Sequence, residues 1–262
     1  KASAEGKDLL IDFTGSDWCG WCIKLKSEVF DQEAFKTAAP KIFVLVELDY
    51  PQQKPQSDAI KAQNQKLQGE FGIEGFPTIY LTDAQGRPYA RTGYQAGGPE
   101  KYLEHLAELQ KTRAERDELF AKAEKAEGVD KARALDEVLA FMASKEVSVK
   151  AYQGVIDEIM TLDAENKAGL KSKYEASKAL AEIESTLMGG NFDEAITKID
   201  AFVGTEGLAG EQKQRALFLK AVAFHNKGDK AATVEGLKAA LYAARDGEKS
   251  EEIRQAIQQL GG

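Results

Sequence analysis

Cysteine is nearly absent from this chain. Its 262 residues hold two, Cys19 and Cys22. One pair cannot staple a chain of this length, so a disulfide scaffold is excluded, and cysteine density says nothing about compartment. Long hydrophobic runs are also missing. The longest strongly apolar run, Ile42–Val46, has five residues, where a membrane-spanning helix needs about 20. No membrane insertion is expected. Basic blocks are lacking too: 35 Lys and Arg face 43 Asp and Glu, a net charge of −8. That balance argues against nucleic acid and anionic membrane surfaces as partners. No signal-peptide or transit pattern is present. The chain starts at Lys1, as a processed precursor or a trimmed chain would.

What remains is ordinary globular material, 43% apolar and 30% charged, which excludes gross disorder. The length favours two domains. All six prolines lie at or before Pro99, and both tryptophans, Trp18 and Trp21, share that part. Beyond it come Ala-, Glu- and Lys-rich helical stretches with no proline at all. We therefore expect an αβ domain over 1–109 and an all-helical domain over 110–262.

In the first part, Leu9–Phe13 and Lys41–Leu48 read as strands buried on both faces. Cys22, Leu25 and Val29 between them recur at helical spacing, with Glu33–Thr37 following, which makes a βαβ unit. Ser57 is placed to cap a helix that buries Ile60, Leu67 and Phe71. Thr78–Thr82 and Pro88–Gly93 form a hairpin around Asp83–Gly86. Pro99 opens a helix with an apolar stripe of Tyr102, Leu103, Leu106 and Leu109.

The second part reads as about seven helices. Gly128, Gly190 and Gly228 each precede a helix that soon carries Ala132, Ala195 or Ala232. The alanines are 63 and 37 residues apart, close to two and one units of about 34. That pattern suggests a TPR-like stack; the alternative is an unrelated helical bundle. Charged runs such as Arg113–Glu118 read as solvated helix faces, and His105 and His225 as structural residues.

The chemistry concentrates in Trp18-Cys19-Gly20-Trp21-Cys22. Two thiols three apart at a helix start can close a disulfide. The first faces the unpaired N–H groups and the positive end of the dipole, which favours the attacking thiolate. The second lies one turn in, placed to resolve a mixed disulfide. The alternatives are an inert buried pair or half a zinc site, for which His105 and His225 are the only further histidines.

Residues 8–106 resemble the thioredoxin family. DLLIDFTGSDWCGWC is similar to that family's strand and WCxxC site, and Phe71-Gly-Ile-Glu-Gly-Phe-Pro-Thr78 to its second signature. The stretch around the cysteines is similar to exported bacterial thioredoxin-like proteins. The resemblance implies an α/β thioredoxin fold, a central mixed sheet flanked by helices, ahead of the helical domain. It implies thiol–disulfide exchange, with Cys19 as nucleophile, Cys22 as resolving thiol and Asp12 as proton relay. Pro77 would be a cis-proline, and the Phe76 backbone would pair with an extended substrate. Trp18, Gly20 and Trp21 would contact that substrate. Ordinary core packing is the alternative for Trp18 and Phe76, and a strand-end acid reaching water is the alternative for Asp12.

By the same resemblance no cofactor or metal is needed. The partners are protein thiols or disulfides and a recycling reductant or oxidant protein, with a further protein partner for the helical domain. An exported, periplasmic location is expected, with cytoplasmic as the alternative. Three departures stand out. One extra residue separates Asp12 from Cys19, Glu47 stands where the family carries a lysine, and Trp21 replaces a proline between the cysteines. With no histidine there to stabilise the thiolate, reductase or isomerase is favoured over strong oxidant. The rival reading is a non-enzymatic peptide-binding or chaperone-like protein.

Overall fold

The computed structural model describes residues 1–208, 210–247 and 249–261. A short helix α1 (Ala2–Glu5) leads into β1 (Asp8–Thr14). α2 (Gly20–Leu25), a π-turn over Lys26–Phe30 and α3 (Glu33–Ile42) carry the chain to β2 (Phe43–Asp49). α4 (Asp58–Phe71), β3 (Thr78–Thr82), β4 (Pro88–Thr92) and α5 (Gly98–Ala123) follow. The described strands form one mixed sheet in the order β2-β1-β3-β4. β1 runs parallel to β2 and antiparallel to β3.

Register sorts β1 onto two faces. Leu10 lies opposite Leu45 and Leu81, and Asp12 opposite Glu47 and Ile79. That face packs on Leu25, Val29, Phe35, Tyr102 and Leu106 from α2–α3 and α5. The other face holds Phe13 against Tyr50, Phe71 and Tyr80, with ring centroids 5.4–6.5 Å apart. The strand at the centre of the hydrogen-bonded ladder thus meets apolar cover on both sides, as its near-continuous apolar run predicts.

β2 differs from its expectation. It is an edge strand whose burial alternates, and Leu45 and Glu47 are exposed. Its apolar run looks like that of a central strand, but nothing in the run reports how many neighbours the strand has. α4 is capped by Ser57 as expected, with the Ile60 N–H donating to Ser57 Oγ at 3.4 Å. Its Ile60 is exposed, and the buried position one turn on belongs to Asn64. Asn64 Nδ2 donates to Asp49 O (2.8 Å), and Tyr50 OH donates to Asn64 O (2.7 Å). Phe71 is buried and Leu67 half-buried as expected, so the polar anchor replaces only the first position of the apolar stripe.

The expected division at 109/110 falls inside α5, which is one continuous helix of 26 residues. Arg116, read as part of a solvated face, is 0% exposed. Its Nη2 donates to Asp83 Oδ2 (2.9 Å) and Asp117 Oδ1 (2.7 Å), and its Nη1 donates to Arg87 O (3.0 Å). Arg113 pairs with buried Asp8, which also accepts from Tyr89 OH at 2.8 Å. Beyond α6 (Gly128–Ser144), Tyr152 in the 3-10 turn Val149–Tyr152 donates to Pro88 O. These bonds bind the second half of α5 and the following turn to β1 and the β3–β4 hairpin. The compact units are accordingly Lys1–Ala164, closed by α7 (Gln153–Leu162), and Glu165–Gly262.

The second unit contains α8 (Leu170–Met188), α9 (Phe192–Val203), α10 (Gly210–Asn226), α11 (Lys230–Ala243) and α12 (Ser250–Gln259). Gly190 (φ 76°) and Gly228 (φ 79°) turn α8 into α9 and α10 into α11, in a left-handed conformation that side-chain-bearing residues avoid. Ile183, Ala195, Ile199 and Ala216 form one core, and Ala221, Leu237, Ala240 and Ile253 a second. Among the described residues no helix is long and apolar enough to cross a membrane.

Candidate active site

Cys19 and Cys22 are joined in a disulfide, with Cα atoms 5.2 Å apart. Cys19 leaves the loop in an extended conformation (φ −84°, ψ 103°) and caps α2, its Sγ accepting from the Cys22 N–H at 3.2 Å. Cys22 sits one turn into the helix. Both residues are buried, Cys22 somewhat more than Cys19. The tryptophans beside them are open, Trp18 at 40% and Trp21 at 58% exposure.

Two aromatic walls flank the disulfide. On one side Trp18 meets Phe76 edge-on (5.6 Å between centroids), and Phe76 packs on Tyr50 (5.1 Å). Trp18 Nε1 donates to Tyr50 O at 2.8 Å. The Phe76–Pro77 peptide is cis, as the resemblance implied. On the other side Trp21 packs on Tyr94 (5.2 Å), with Lys24 Nζ over both rings and Tyr94 OH donating to Glu28 at 2.6 Å. The Trp18 ring is therefore partly exposed rather than buried in the core, and is held by one hydrogen bond and one ring contact.

The loop carrying the extra residue is fixed from below. Ser16 donates through N (2.9 Å) and Oγ (2.7 Å) to Asp49. Asp17 accepts from the backbone N–H groups of Gln52, Gln53 and Lys54 at 2.8–2.9 Å. The Gln52 N–H leads the bonds that hold the Asp17 carboxyl below its usual range. Gly15 is required by contact, since a Cβ there would lie 2.5 Å from Trp18 Cε2. Gly15→Ala should push the Trp18 ring off Phe76 and Tyr50 O. The expected result is a changed tryptophan emission and a several-fold weaker grip on extended peptides, a contact loss of roughly 1 kcal/mol. Unchanged emission and peptide affinity would show that the rim tolerates the methyl group.

Asp12 lies on the α2-facing side of β1, 8% exposed, and its Oδ1 is buried with no hydrogen-bond partner. Burial, reinforced by the Glu47 carboxylate opposite, pushes its pKa up to about 7; the Lys26 ammonium pulls weakly the other way. Asp12 is thus a largely buried carboxyl with a raised pKa, not a freely solvated strand-end acid. Glu47 is exposed and pairs with Lys26 Nζ at 3.3 Å. The positive charge absent from β2 is thus supplied from the helix side, four residues after Cys22. That spacing was visible in the sequence and could have exposed Lys26. Tyr50, Tyr94 and Asp17 had no comparable signal, because only folding brings their segments to the cysteines.

Residues 1–110 match the family model described as a thioredoxin-like domain. The chain is 36% identical over 107 residues to the disulfide bond reductase DsbH of Chlamydia pneumoniae, covering 41% of this chain and 64% of that protein. It is 36% identical over 85 residues to the thioredoxin-related protein DsbJ of the same organism, covering 32% and 24%. A protein disulfide-isomerase of Hordeum vulgare is 28% identical over 92 residues, covering 35% and 15%. The match thus spans less than two thirds of each of these relatives. A solved DsbH oxidoreductase structure is similar at 33% identity, covering 42% of this chain and 78% of that one, with a TM-score of 0.40.

Proposed function

We propose that this chain, whose residues 1–110 are a thioredoxin-like domain, is a thiol–disulfide oxidoreductase that works on protein disulfides in the reducing or isomerising direction. The observation that carries the reading is the Cys19–Cys22 disulfide at the cap of α2, between two aromatic walls and beside a cis Phe76–Pro77. In the reduced protein the Cys19 thiolate attacks one sulfur of the substrate disulfide. A mixed disulfide forms and the other substrate sulfur leaves as thiolate. Cys22 then attacks Cys19 Sγ, the second substrate thiolate departs, and the Cys19–Cys22 bond forms. Two electrons pass to the substrate.

Asp12 accepts the Cys22 proton in this scheme, since a buried carboxyl with a pKa near 7 can exchange protons at neutral pH. Trp18 and Phe76 hold an extended substrate segment on one side, and Gly20 and Trp21 contact it between the cysteines. The relative named disulfide bond reductase supports the reducing direction. A recycling reductant protein, a bacterial periplasmic setting and a TPR-like helical half that docks a protein partner belong to the same proposal. The glycine-turned pairs α8–α9 and α10–α11 support the last of these.

Insulin reduction with dithiothreitol tests the activity. The Cys19–Cys22 reduction potential tests its direction: a value near −270 mV marks a reductant and one near −120 mV a strong oxidant. Cys22→Ser should trap substrates as mixed disulfides through Cys19, and Cys19→Ser should trap none. Alkylation of the reduced protein near pH 6 should label Cys19 first. Reversed labelling together with reversed trapping would overturn the assigned order of attack.

A further inference from the structure

We propose that a polar cavity at the outer edge of β4, beginning at Pro77, is a subsite for an acidic segment of the peptide bound at the cysteines. The proposal rests on the oxidoreductase reading only for which ligand reaches Pro77. The cavity has a volume of about 560 Å³, within the roughly 300–1,000 Å³ of ligand pockets. β4 ends the sheet order, so its outer edge has no strand partner among the described residues. Arg91 and Thr92 of β4, His105 of α5, and Lys145 and Glu146 after α6 contribute to the wall. The α6 side lies beyond residues 1–110, so the wall there comes from outside the matched thioredoxin-like domain.

Charge identifies the ligand. Of the eight arginines, Arg87, Arg113, Arg116, Arg133, Arg215 and Arg254 each have a carboxylate within 4.0 Å. Exposed Arg245 and half-buried Arg91 have none among the described residues, although the chain carries an excess of acids. Lys145 also has none; its Nζ lies 5.2 Å from the centre of the Phe141 ring. His105 Nε2 is engaged by Thr92 Oγ1 at 2.8 Å. Exposed Glu146 is the one acid on the wall, which leaves the lining net positive with histidine neutral. A half-buried guanidinium without a counterion offers a planar fork to an incoming carboxylate. An outermost strand offers backbone groups to an extended peptide whose alternate side chains enter flanking pockets. Together they select a peptide with Asp or Glu close to the reacting cysteine.

The test is fluorescence anisotropy with the oxidised full chain and short labelled peptides, acetylated and amidated so that side chains supply every carboxylate. Serine replaces the central cysteine, and either Glu or Lys flanks it on both sides. The Glu peptide should bind about tenfold more tightly, the change that about 1.4 kcal/mol makes. Arg91→Glu and Lys145→Glu should each remove or invert that preference. Equal binding of the two peptides, or a preference that survives both substitutions, would overturn the subsite. If Arg91→Glu does not fold, exposed Lys145→Glu decides alone. Reduction of a small aromatic disulfide by the wild-type chain is read separately. Its absence sinks the oxidoreductase reading, while binding alone still judges the cavity.

Discussion

Arg116→Ala is expected to destabilise the full chain by about 3–5 kcal/mol, the cost of breaking a buried ion pair from one side. For a protein of this size that lowers the melting temperature by roughly 10 °C. The guanidinium is 0% exposed and donates to Asp83, Asp117 and the Arg87 carbonyl. Asp83 is buried too, and its other partners are Arg87 and the N–H groups of the turn. Burial pushes the Asp83 carboxyl up. The Arg87 backbone N–H, with the Arg116 and Arg87 guanidiniums, more than offsets this and leaves it below the usual range. A carboxyl with a depressed folded-state pKa adds stability above its unfolded value and loses it as pH falls through the folded value. The penalty of Arg116→Ala should therefore be full at pH 7 and shrink on acidification below about pH 4. Pairing Arg116→Met with Asp83→Asn should recover part of the loss, since neither charge is then buried alone. Chemical denaturation of both variants and the wild type across pH checks this. A single variant that melts with the wild type would mean the network carries no net stability. The same bonds predict that a fragment ending at Leu109 folds poorly and one ending at Ala164 folds well, because the shorter piece leaves Asp8 and Asp83 without Arg113 and Arg116.

Asp12→Asn should act in the opposite direction. The folded-state pKa is raised to about 7 from 3.8, first by burial and then by Glu47. A raised carboxyl pKa means that the folded state binds more protons than the unfolded one between those values, so wild-type stability falls as pH rises through that window. Three pH units correspond to at most roughly 4 kcal/mol. The buried amide and the buried protonated carboxyl lose water alike, so that cost cancels between the two proteins. The variant should therefore match wild type near pH 4, gain progressively to pH 7, and stay more stable above it by up to roughly 4 kcal/mol. Resolution by Cys22 should meanwhile slow and lose its pH dependence around neutrality. Melting curves at pH 4 and 8, with stopped-flow decay of the mixed disulfide across pH 5–9, give both readouts. Superimposed kinetics and an unmoved melting temperature would remove Asp12 from the mechanism.

These two residues show how unevenly a sequence reports burial. Asp12 was legible because it is the single charge within LLIDF, a strand whose neighbours demand cover. Arg116 was not, because Arg113–Glu118 has the alternating charges of a solvated helix and burial comes from partners about 30 residues away in the β3–β4 hairpin. Ile60 and Asn64 repeat the lesson on α4: the helix and its Ser57 cap were local and readable. Which face it turns inward depends on Tyr50 and Asp49, which were not.

The sequence by itself determined the strand–WCxxC–helix arrangement, the cis-proline signature at Phe76–Pro77, the hairpin around Asp83–Gly86, and the glycine turns at Gly190 and Gly228. Each is encoded within a few residues by backbone preference, hydrophobic period or the reach of a thiol. Only the tertiary structure decided that β2 is an edge strand, that Lys26 meets Glu47 beside Asp12, that Tyr50 and Tyr94 complete the aromatic walls, and that α5 runs on to place Arg116 against the sheet. The reason is physical. Propensity and motif chemistry act along the chain, whereas the energy of a charge or a ring depends on which distant segment excludes water from it.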